Sequence, residues 1–275
     1  DCALAACFLV YAGPFLDQYR EHLIREDWEP QLKRLGVPYS ATGVAITVFL
    51  ASAAELVDWT IQGLPNDPLS LANGVLVNNA PRPPLMIDPQ GQAGRWIRAK
   101  EESRGLVLCD LSNPTWLRTM ETAMAQGAPV LVQDVPDDLD PLLDPVLSLF
   151  TPSGVTNDGA AAAGAGHSAQ SALAAARAAA AANAATSRLV HFNDKDLDVR
   201  AGFRIMITSK APNPSFSPEI AIKCTVVNFA VKLRGLEQQL LSLLVSLEEP
   251  KTESDRMRLI KDVAADRKRL RDLED

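Results

Sequence analysis

The residues with the clearest potential for chemistry follow the apolar run Leu85-Met86-Ile87. That run is too short for a helix and predicts a buried strand. A strand, a glycine-containing turn and a helix in succession are where a nucleotide phosphate binds. Residues 88–96 (DPQGQAGRW) stand in that place. They are therefore compared with the phosphate loop GxxxxGK[ST].

The loop departs from this pattern in both possible registers. With Gly94 as the second glycine, Pro89 replaces the first glycine, Arg95 replaces the lysine and Trp96 replaces the magnesium-binding hydroxyl. In the other register, Asp88 puts a carboxylate where phosphate must bind, and that negative charge opposes a phosphate. The sequence therefore predicts a degenerate phosphate loop that holds no nucleotide, made of Asp88, Pro89, Gln90, Gly91, Gly94 and Arg95.

A second acidic position follows the predicted strand Val130–Val132. Gln133-Asp134-Val135 occupies the place where an ATPase has a magnesium-linked Asp followed by a catalytic Glu. Asp134 could still contact a metal, but Val135 cannot activate water. No catalytic residue, metal site or cofactor is predicted in this segment.

Three other groups of residues are weaker candidates for chemistry. The acidic positions lack the glycine and the terminal glutamate of a calcium loop and are expected to be solvated: Asp137, Asp138, Asp140 and Asp144. No GxSxG elbow accompanies the three histidines, which are expected to be surface or hairpin residues: His22, His167 and His191. The tryptophans are expected to anchor the core: Trp28, Trp59, Trp96 and Trp116.

The elements around these positions define an α/β fold. Five short apolar runs predict strands: 85–87, 106–109, 130–132, 203–207 and 225–229. Helices are predicted before and between them: one interrupted at Pro30, one that starts with a capping box of Ser52 and Glu55, one over 92–100, and one capped by Asn113 and ended by Gly127. Apolar strands separated by helices indicate a mostly parallel sheet covered on both faces. Asn193-Asp194 predicts a hairpin that joins 189–192 to 197–199.

Charge and cysteine usage exclude several classes of partner. The 275-residue chain has a net charge of -7, which argues against nucleic acid and anionic membranes as partners. The four cysteines lie in apolar contexts and are expected to be buried thiols of a reducing compartment. Because the chain starts at Asp1 and stops in mid-pattern at Asp275, it is expected to be part of a longer protein.

Two segments differ from the rest in composition. Residues 159–187 hold 17 Ala in 29 positions, and side chains that small cannot build a core. This segment is therefore expected to be a dispensable loop insertion. A helix is expected to open at Gly235 and to meet a break at Pro250. Beyond it, apolar residues at coiled-coil spacing suit a projecting helix or, equally, a solvated surface helix. The predicted coupling residues of both parts are Leu236, Leu240, Leu244, Leu259, Val263, Leu270 and Leu273.

Several stretches resemble the fifth AAA+ module of dynein heavy chains. They are GPF (13–15), WTIQGLPNDPLSLANG (59–74), PLMIDPQGQAGRWI (84–97), PVLVQDV (129–135), LDPLLDPVL (139–147) and GLEQQLL (235–241). The resemblance covers nearly the whole chain, and LMIDPQGQ is the most diagnostic part. Residues 207–220 (ITSKAPNPSFSPEI) look more like the axonemal than the cytoplasmic branch. The Ala-rich insertion departs from the family pattern.

The resemblance implies a domain plan. Residues 1–12 would end the returning arm of the stalk coiled coil, and 13–234 would be an AAA+ module that has lost nucleotide binding. Residues 235–275 would begin the first arm of the buttress, also called the strut. The module's partners would be neighbouring modules and the stalk of the same chain.

The resemblance also implies the setting of the whole protein. The parent chain would be an ATP-driven, minus-end-directed microtubule motor in the axoneme of a cilium or flagellum, part of the cytoskeleton. ATP and Mg²⁺ would be bound in other modules, while the rest of the chain would meet microtubules and dynein intermediate and light chains.

Two alternatives stay open beside the coupling module. One is a module that still binds nucleotide in a regulatory or catalytic role through an unusual loop. The other, weaker alternative is a free-standing scaffold, which would require the chain to be complete.

Overall fold

Five strands form one sheet in which every neighbouring pair is parallel, in the order β2-β3-β6-β1-β7. The computed structural model describes residues 1–38, 40, 46–137, 139–150, 188–193, 195–231, 233–252, 254–256, 258, 259, 262, 263, 266 and 269. The sheet strands are β1 (Pro84–Ile87), β2 (Val107–Asp110), β3 (Pro129–Gln133), β6 (Arg204–Ser209) and β7 (Thr225–Asn228). The predicted strands and the mostly parallel sheet are thus confirmed.

The remaining two strands, β4 (Arg188–Phe192) and β5 (Lys195–Val199), pair antiparallel as the predicted hairpin. The hairpin packs on the helix that precedes β3. Helices fill the connections: α1 (Cys2–Tyr11), α2 (Asp17–His22), α3 (Glu29–Arg34), α4 (Ile46–Leu50), α5 (Ala53–Ile61), α6 (Pro68–Asn79), α7 (Gln92–Glu101), α8 (Trp116–Gln126), α9 (Asp144–Ser148), α10 (Pro218–Lys223) and α11 (Leu233–Glu248). Among the described residues, no helix is both long and apolar enough to cross a bilayer.

Each face of the sheet carries its own apolar core, because side chains alternate between the two faces of a strand. Met86 of β1 and Leu131 of β3 face a core built with α1, α4, α5, α6 and α7. Leu85 and Val130, one residue earlier on the same strands, face a second core with α8, α9 and the hairpin. Because the sheet is buried on both faces, its strands are continuous apolar runs in the sequence.

The chain enters the sheet domain through a close backbone approach at Gly13. A Cβ there would lie 2.1 Å from the carbonyl oxygen of Val226, so only glycine fits beside β7. The backbone N–H of Asn228 donates to the Gly13 carbonyl at 3.0 Å. Helix α1 ends just before this point and buries Leu4 and Phe8 in the first core.

Local corrections concern helix ends. Asn113 caps a turn rather than a helix, since its Oδ1 accepts from the Thr115 N–H and α8 begins only at Trp116. Helix α11 begins at Leu233, two residues before Gly235. Pro30 does not interrupt the helix near it; a π-helical stretch, Leu23–Trp28, precedes it, and Pro30 lies in the first turn of α3. Ser52 and Glu55 form the predicted capping box.

Only two of the four cysteines are buried. Cys109 and Cys224 are buried, and burial raises their pKa to about 11 and about 12. Cys2 is exposed and Cys7 is intermediate, so the expectation of four buried thiols is wrong for these two. Both lie on α1, whose buried face is formed by other residues.

Candidate functional site

The predicted site residues meet at one edge of the sheet, where β1, β3 and β6 end. Ile87 pairs with Ser209 and Val132 pairs with Ile207, so the three carboxyl ends lie side by side. Asp88 follows β1 and Asp134 follows β3. In open parallel sheets this edge is where ligands bind.

Asp88 fills the anion cradle at the start of α7 with its own carboxylate. The side chain is 2% exposed. Its Oδ1 accepts the backbone N–H of Gln92 at 2.8 Å, and its Oδ2 accepts the backbone N–H of Gly94 at 2.9 Å. Free N–H groups at a helix N-terminus are the donors that bind phosphate in nucleotide loops. Here two of those donors are used by the protein itself.

The other loop residues also lack the features of a working phosphate loop. Gly91 has φ +70° and forms the left-handed turn that starts α7. Arg95 is exposed, and its Nε donates to the Gly91 carbonyl at 3.2 Å. Trp96, at the position of the magnesium-binding hydroxyl, is fully buried in the core. Pro89 and Gln90 form the turn between Asp88 and Gly91.

Asp134 is paired with a cation at the end of the neighbouring strand. Its Oδ2 lies 2.6 Å from Nζ of Lys210, which follows β6. Asp134 has φ +53°, and the backbone N–H of the next residue, Val135, donates to the Thr208 carbonyl at 2.9 Å. The carboxylate that would hold a magnesium ion therefore forms an exposed ion pair with Lys210.

The remaining candidates have structural roles where they are described. Asp140 caps a short 3₁₀ turn, Asp144 pairs with Lys223, and no metal-binding group of His, Cys, Asp and Glu occurs among the described residues. His22 and His191 form exposed contacts with Glu26 and Asp196. Asp138 and His167 lie outside the described residues.

The tryptophans are core residues, as predicted. Trp59, Trp96 and Trp116 are at most 7% exposed, and Trp28 packs against the first core. Trp59 and Trp96 meet edge to face with ring centroids 5.8 Å apart. Their arrangement fixes α5 against α7.

Lys100 is a partly buried cation that the sequence did not reveal. Its Nζ lies 5.5 Å from the Trp59 ring centroid and 5.0 Å from that of Trp96, and it donates to Asn78 Oδ1 at 2.8 Å. Burial, assisted by the positive charge of Arg204, lowers the Lys100 pKa to about 8. The two rings partly replace the lost hydration of the ammonium through cation–π attraction. The sequence carried one signal for this contact, since Trp96 and Lys100 are about one helical turn apart.

Arg20 is a second missed cation, only 3% exposed, near the carboxyl end of β7. Its guanidinium donates to the carbonyls of Phe15 and Gly13 at 2.7 and 3.0 Å and to Asn73 Oδ1 at 2.7 Å. Asn73 in turn donates to the Asn228 carbonyl at 2.8 Å. Burial lowers the Arg20 pKa to about 10. This network links α2, α6 and β7.

A pair of glutamines connects the loop to the C-terminal helix. Gln92 Nε2 donates to Gln239 Oε1 at 2.7 Å, and Gln239 Nε2 donates back to Gln92 Oε1 at 3.4 Å. The two positions are far apart in sequence, so no local pattern predicts the contact.

The predicted coupling leucines of α11 are exposed within this chain. Leu236, Leu240 and Leu244 are 40%, 55% and 50% exposed, and Leu259 and Val263 are 59% and 51% exposed. Helix α11 ends at Glu248, and helical backbone resumes at Pro250, where the break was predicted. Leu270, Leu273 and the Ala-rich tract lie outside the described residues. The coupling role of these side chains stays a prediction.

The fold and the site together define a class. A parallel sheet in which β1 lies between β6 and β7, with a loop and helix after β1, is the P-loop type of α/β domain, here with its phosphate cradle closed. The family described as "ATP-binding dynein motor region" matches residues 57–155 and 173–275. The chain belongs to this family, and the AAA+ type of fold expected from the sequence is confirmed.

Curated relatives support the axonemal branch. The chain is 39% identical over its whole length to "Dynein axonemal heavy chain 2" of Mus musculus. It is 36% identical over its whole length to "Dynein gamma chain, flagellar outer arm" of Chlamydomonas reinhardtii, and 36% identical over 99% of its length to "Dynein axonemal heavy chain 6" of Homo sapiens. The chain spans 5–6% of the length of these relatives.

Proposed function

We propose that this chain is a non-hydrolysing AAA+ module of an axonemal dynein heavy chain, the fifth of the motor ring, and that its C-terminal helix begins the buttress. In this role the module couples the ring to the stalk instead of turning over ATP. The observation that carries the proposal is the Asp88 carboxylate, which takes the backbone N–H groups of Gln92 and Gly94.

A nucleotide would have to displace this internal anion. The two N–H groups that would donate to a phosphate already donate to Asp88. The negative charge of the carboxylate would also repel the phosphate. Arg95 is exposed beside the loop and Trp96 is buried, so neither supplies the lysine or the hydroxyl of a working loop. Asp134 is paired with Lys210. ATP and Mg²⁺ therefore do not fit the residues of this loop.

The alternative is a module that still binds nucleotide in a regulatory role. The matched family description contains the words "ATP-binding", and the strand, loop and helix of a P-loop domain are all in place. This alternative requires the Asp88 side chain to leave the cradle. Nucleotide bound at residues 88–96 would establish it.

The proposal extends to the parent protein. Its other modules would bind ATP and Mg²⁺, and the whole chain would move on microtubules toward their minus ends in the axoneme of a cilium or flagellum. Neighbouring modules and the stalk are the proposed direct partners, with dynein intermediate and light chains bound elsewhere. The names of the relatives, axonemal and flagellar, support this location.

The coupling role is tested by a proline at Val263, a half-exposed position with helical backbone. Proline removes one backbone hydrogen bond and clashes with the preceding turn, at a cost of about 3 kcal/mol or more, which kinks the helix. In the complete heavy chain, Val263→Pro should leave basal ATPase intact while microtubule-stimulated turnover and gliding fall. Val263→Ala, which keeps the helix, is the matched control. Normal gliding by a folded Val263→Pro motor would overturn the coupling role.

A further inference from the structure

We infer that the amide pair between Gln92 and Gln239 is the joint that fixes α11 on the sheet domain. The inference rests on the coupling part of the proposed function, because α11 leads into the helix that would transmit movement. It assigns to these two residues a positioning role: they hold α11 in one register and orientation against the start of α7.

The pair is reciprocal, and its Gln92 member is shielded from water. Gln92 is 6% exposed, and its Nε2 lies 2.7 Å from Gln239 Oε1 and 2.9 Å from Gln90 Oε1. The return bond from Gln239 Nε2 to Gln92 Oε1 is 3.4 Å. A buried amide that loses its partner pays the full cost of its lost hydration. Gln92 therefore favours the single placement of α11 that brings Gln239 to it.

Among the side chains that the structure describes, the leucines of α11 give the helix little apolar packing on the sheet domain. Six of them are 40% to 73% exposed: Leu236, Leu240, Leu241, Leu243, Leu244 and Leu247. Apolar contacts are non-directional and tolerate sliding, whereas amide hydrogen bonds weaken steeply with distance and angle. A shift of α11 by one residue moves its side chains by about 100° around the helix axis and separates Gln239 from Gln92.

The joint is connected to the closed cradle through one residue. The backbone N–H of Gln92 is held by Asp88, and its side chain is held by Gln239. Asp88 thus fixes the first turn of α7, from which the Gln92 side chain reaches α11. In this arrangement the internal carboxylate supports the position of the C-terminal helix without any bound ligand.

The test is amide hydrogen exchange in the complete heavy chain, measured by mass spectrometry. Gln239→Ala and Gln92→Ala should each speed exchange in residues 233–248 on the order of tenfold, as expected for the loss of one or two hydrogen bonds. Exchange in α7 should stay unchanged, because the Asp88 bonds use backbone donors. Gln126→Ala, at an exposed glutamine that ends α8, is the matched control.

Two further variants separate the joint from general destabilisation. The double variant Gln92→Ala with Gln239→Ala should exchange no faster than either single variant, because both remove one shared interaction. Gln92→Glu with Gln239→Lys should restore slow exchange through a charged pair. Unchanged exchange in both single variants, or equal acceleration in α7 and α11, would overturn the joint.

The joint and the proposed coupling role of α11 can be contradicted independently. If the single variants loosen α11 while gliding speed stays normal, the joint stands and the coupling role of α11 falls. If α11 stays protected in these variants while Val263→Pro stops gliding, the joint falls and the coupling role stands.

Discussion

The carboxylate of Asp88 accepts the backbone N–H of Gly94 at 2.9 Å, across the loop that would otherwise surround a phosphate. Because of this contact, the loop differs from a working phosphate loop. The strand, turn and helix of a P-loop domain are retained, but the anion at the helix N-terminus belongs to the chain. The loop is therefore a structural element that starts α7.

The first prediction concerns the stability that Asp88 provides. Asp88→Ala leaves two backbone donors of α7 unpaired in a buried place, which should cost on the order of 1–3 kcal/mol. Asp88→Asn retains one acceptor and should cost less. The free energy of unfolding from denaturant titration measures both, and Asp58→Asn, at an exposed position on α5, is the control. Equal stability of Asp88→Ala and the parent chain would contradict the anchoring role.

The second prediction concerns pH and Lys100. Its pKa is lowered from 10.5 to about 8, so between these values the unfolded chain binds more protons than the folded chain. Lys100 therefore contributes a rise in stability of about 1 kcal/mol between pH 8 and 9. The buried thiols of Cys109 and Cys224, with pKa raised from 9.0, act in the opposite direction as the thiols of the unfolded chain ionise, by about 0.3 kcal/mol each over the same interval.

Replacement of Lys100 isolates its contribution. Lys100→Met keeps the aliphatic packing on Trp59 and Trp96 but has no charge to lose, so the change in its stability between pH 8 and 9 should be about 1 kcal/mol less favourable than in the parent chain. Denaturant titrations of the two proteins at several pH values in this range measure the slope. A slope that persists in Lys100→Met would assign the effect to another group.

The third prediction concerns the Arg20 network. Arg20→Leu removes the donor shared by the Phe15 and Gly13 carbonyls and Asn73 Oδ1. The Gly13 carbonyl keeps the bond from the Asn228 N–H, whereas Phe15 and Asn73 lose their Arg20 partner. The expected loss of stability is about 3 kcal/mol or more. Arg25→Ala breaks only an exposed ion pair with Glu21 and should cost less than about 1 kcal/mol. Comparable losses in the two variants would contradict the network's importance.

The fourth prediction concerns the Ala-rich tract. Helix α9 contacts β4, so the two ends of the connecting segment lie near one another. Residues 151–158 alone can reach about 26 Å, which is ample for this connection. Deletion of residues 159–187 should therefore leave folding and microtubule gliding unchanged. A loss of gliding as large as that from abolishing ATP hydrolysis would show that the insertion has a function.

The sequence predicted the elements of this fold because their signals are local. The apolar run at Leu85–Ile87 and the capping box of Ser52 and Glu55 each arise from a few adjacent residues, and both were confirmed. The order of strands in the sheet was not predicted, since alternating strands and helices are compatible with several orders. The helix starts at Trp116 and Leu233 were missed by a few residues, as turns and helices share N-terminal residue types.

The site was predicted in part for the same reason. In one of two possible registers, spacing put the Asp88 carboxylate at the phosphate position, while its two bonds to Gln92 and Gly94 required the structure. Contacts between distant segments, such as Asp134 with Lys210 and Gln92 with Gln239, have no local signal. The burial of Arg20 was missed because arginine is rarely buried, and its carbonyl partners come from the backbone.

The central claim is that the Asp88 cradle takes no nucleotide, and photolabelling of the complete heavy chain with an azido-ATP analogue and Mg²⁺ tests it most directly. Peptide mapping then shows which segments carry the label. The account predicts saturable labelling in other modules of the motor and none in residues 84–101 or 129–135. Saturable, ATP-competed labelling of residues 84–101 would contradict it.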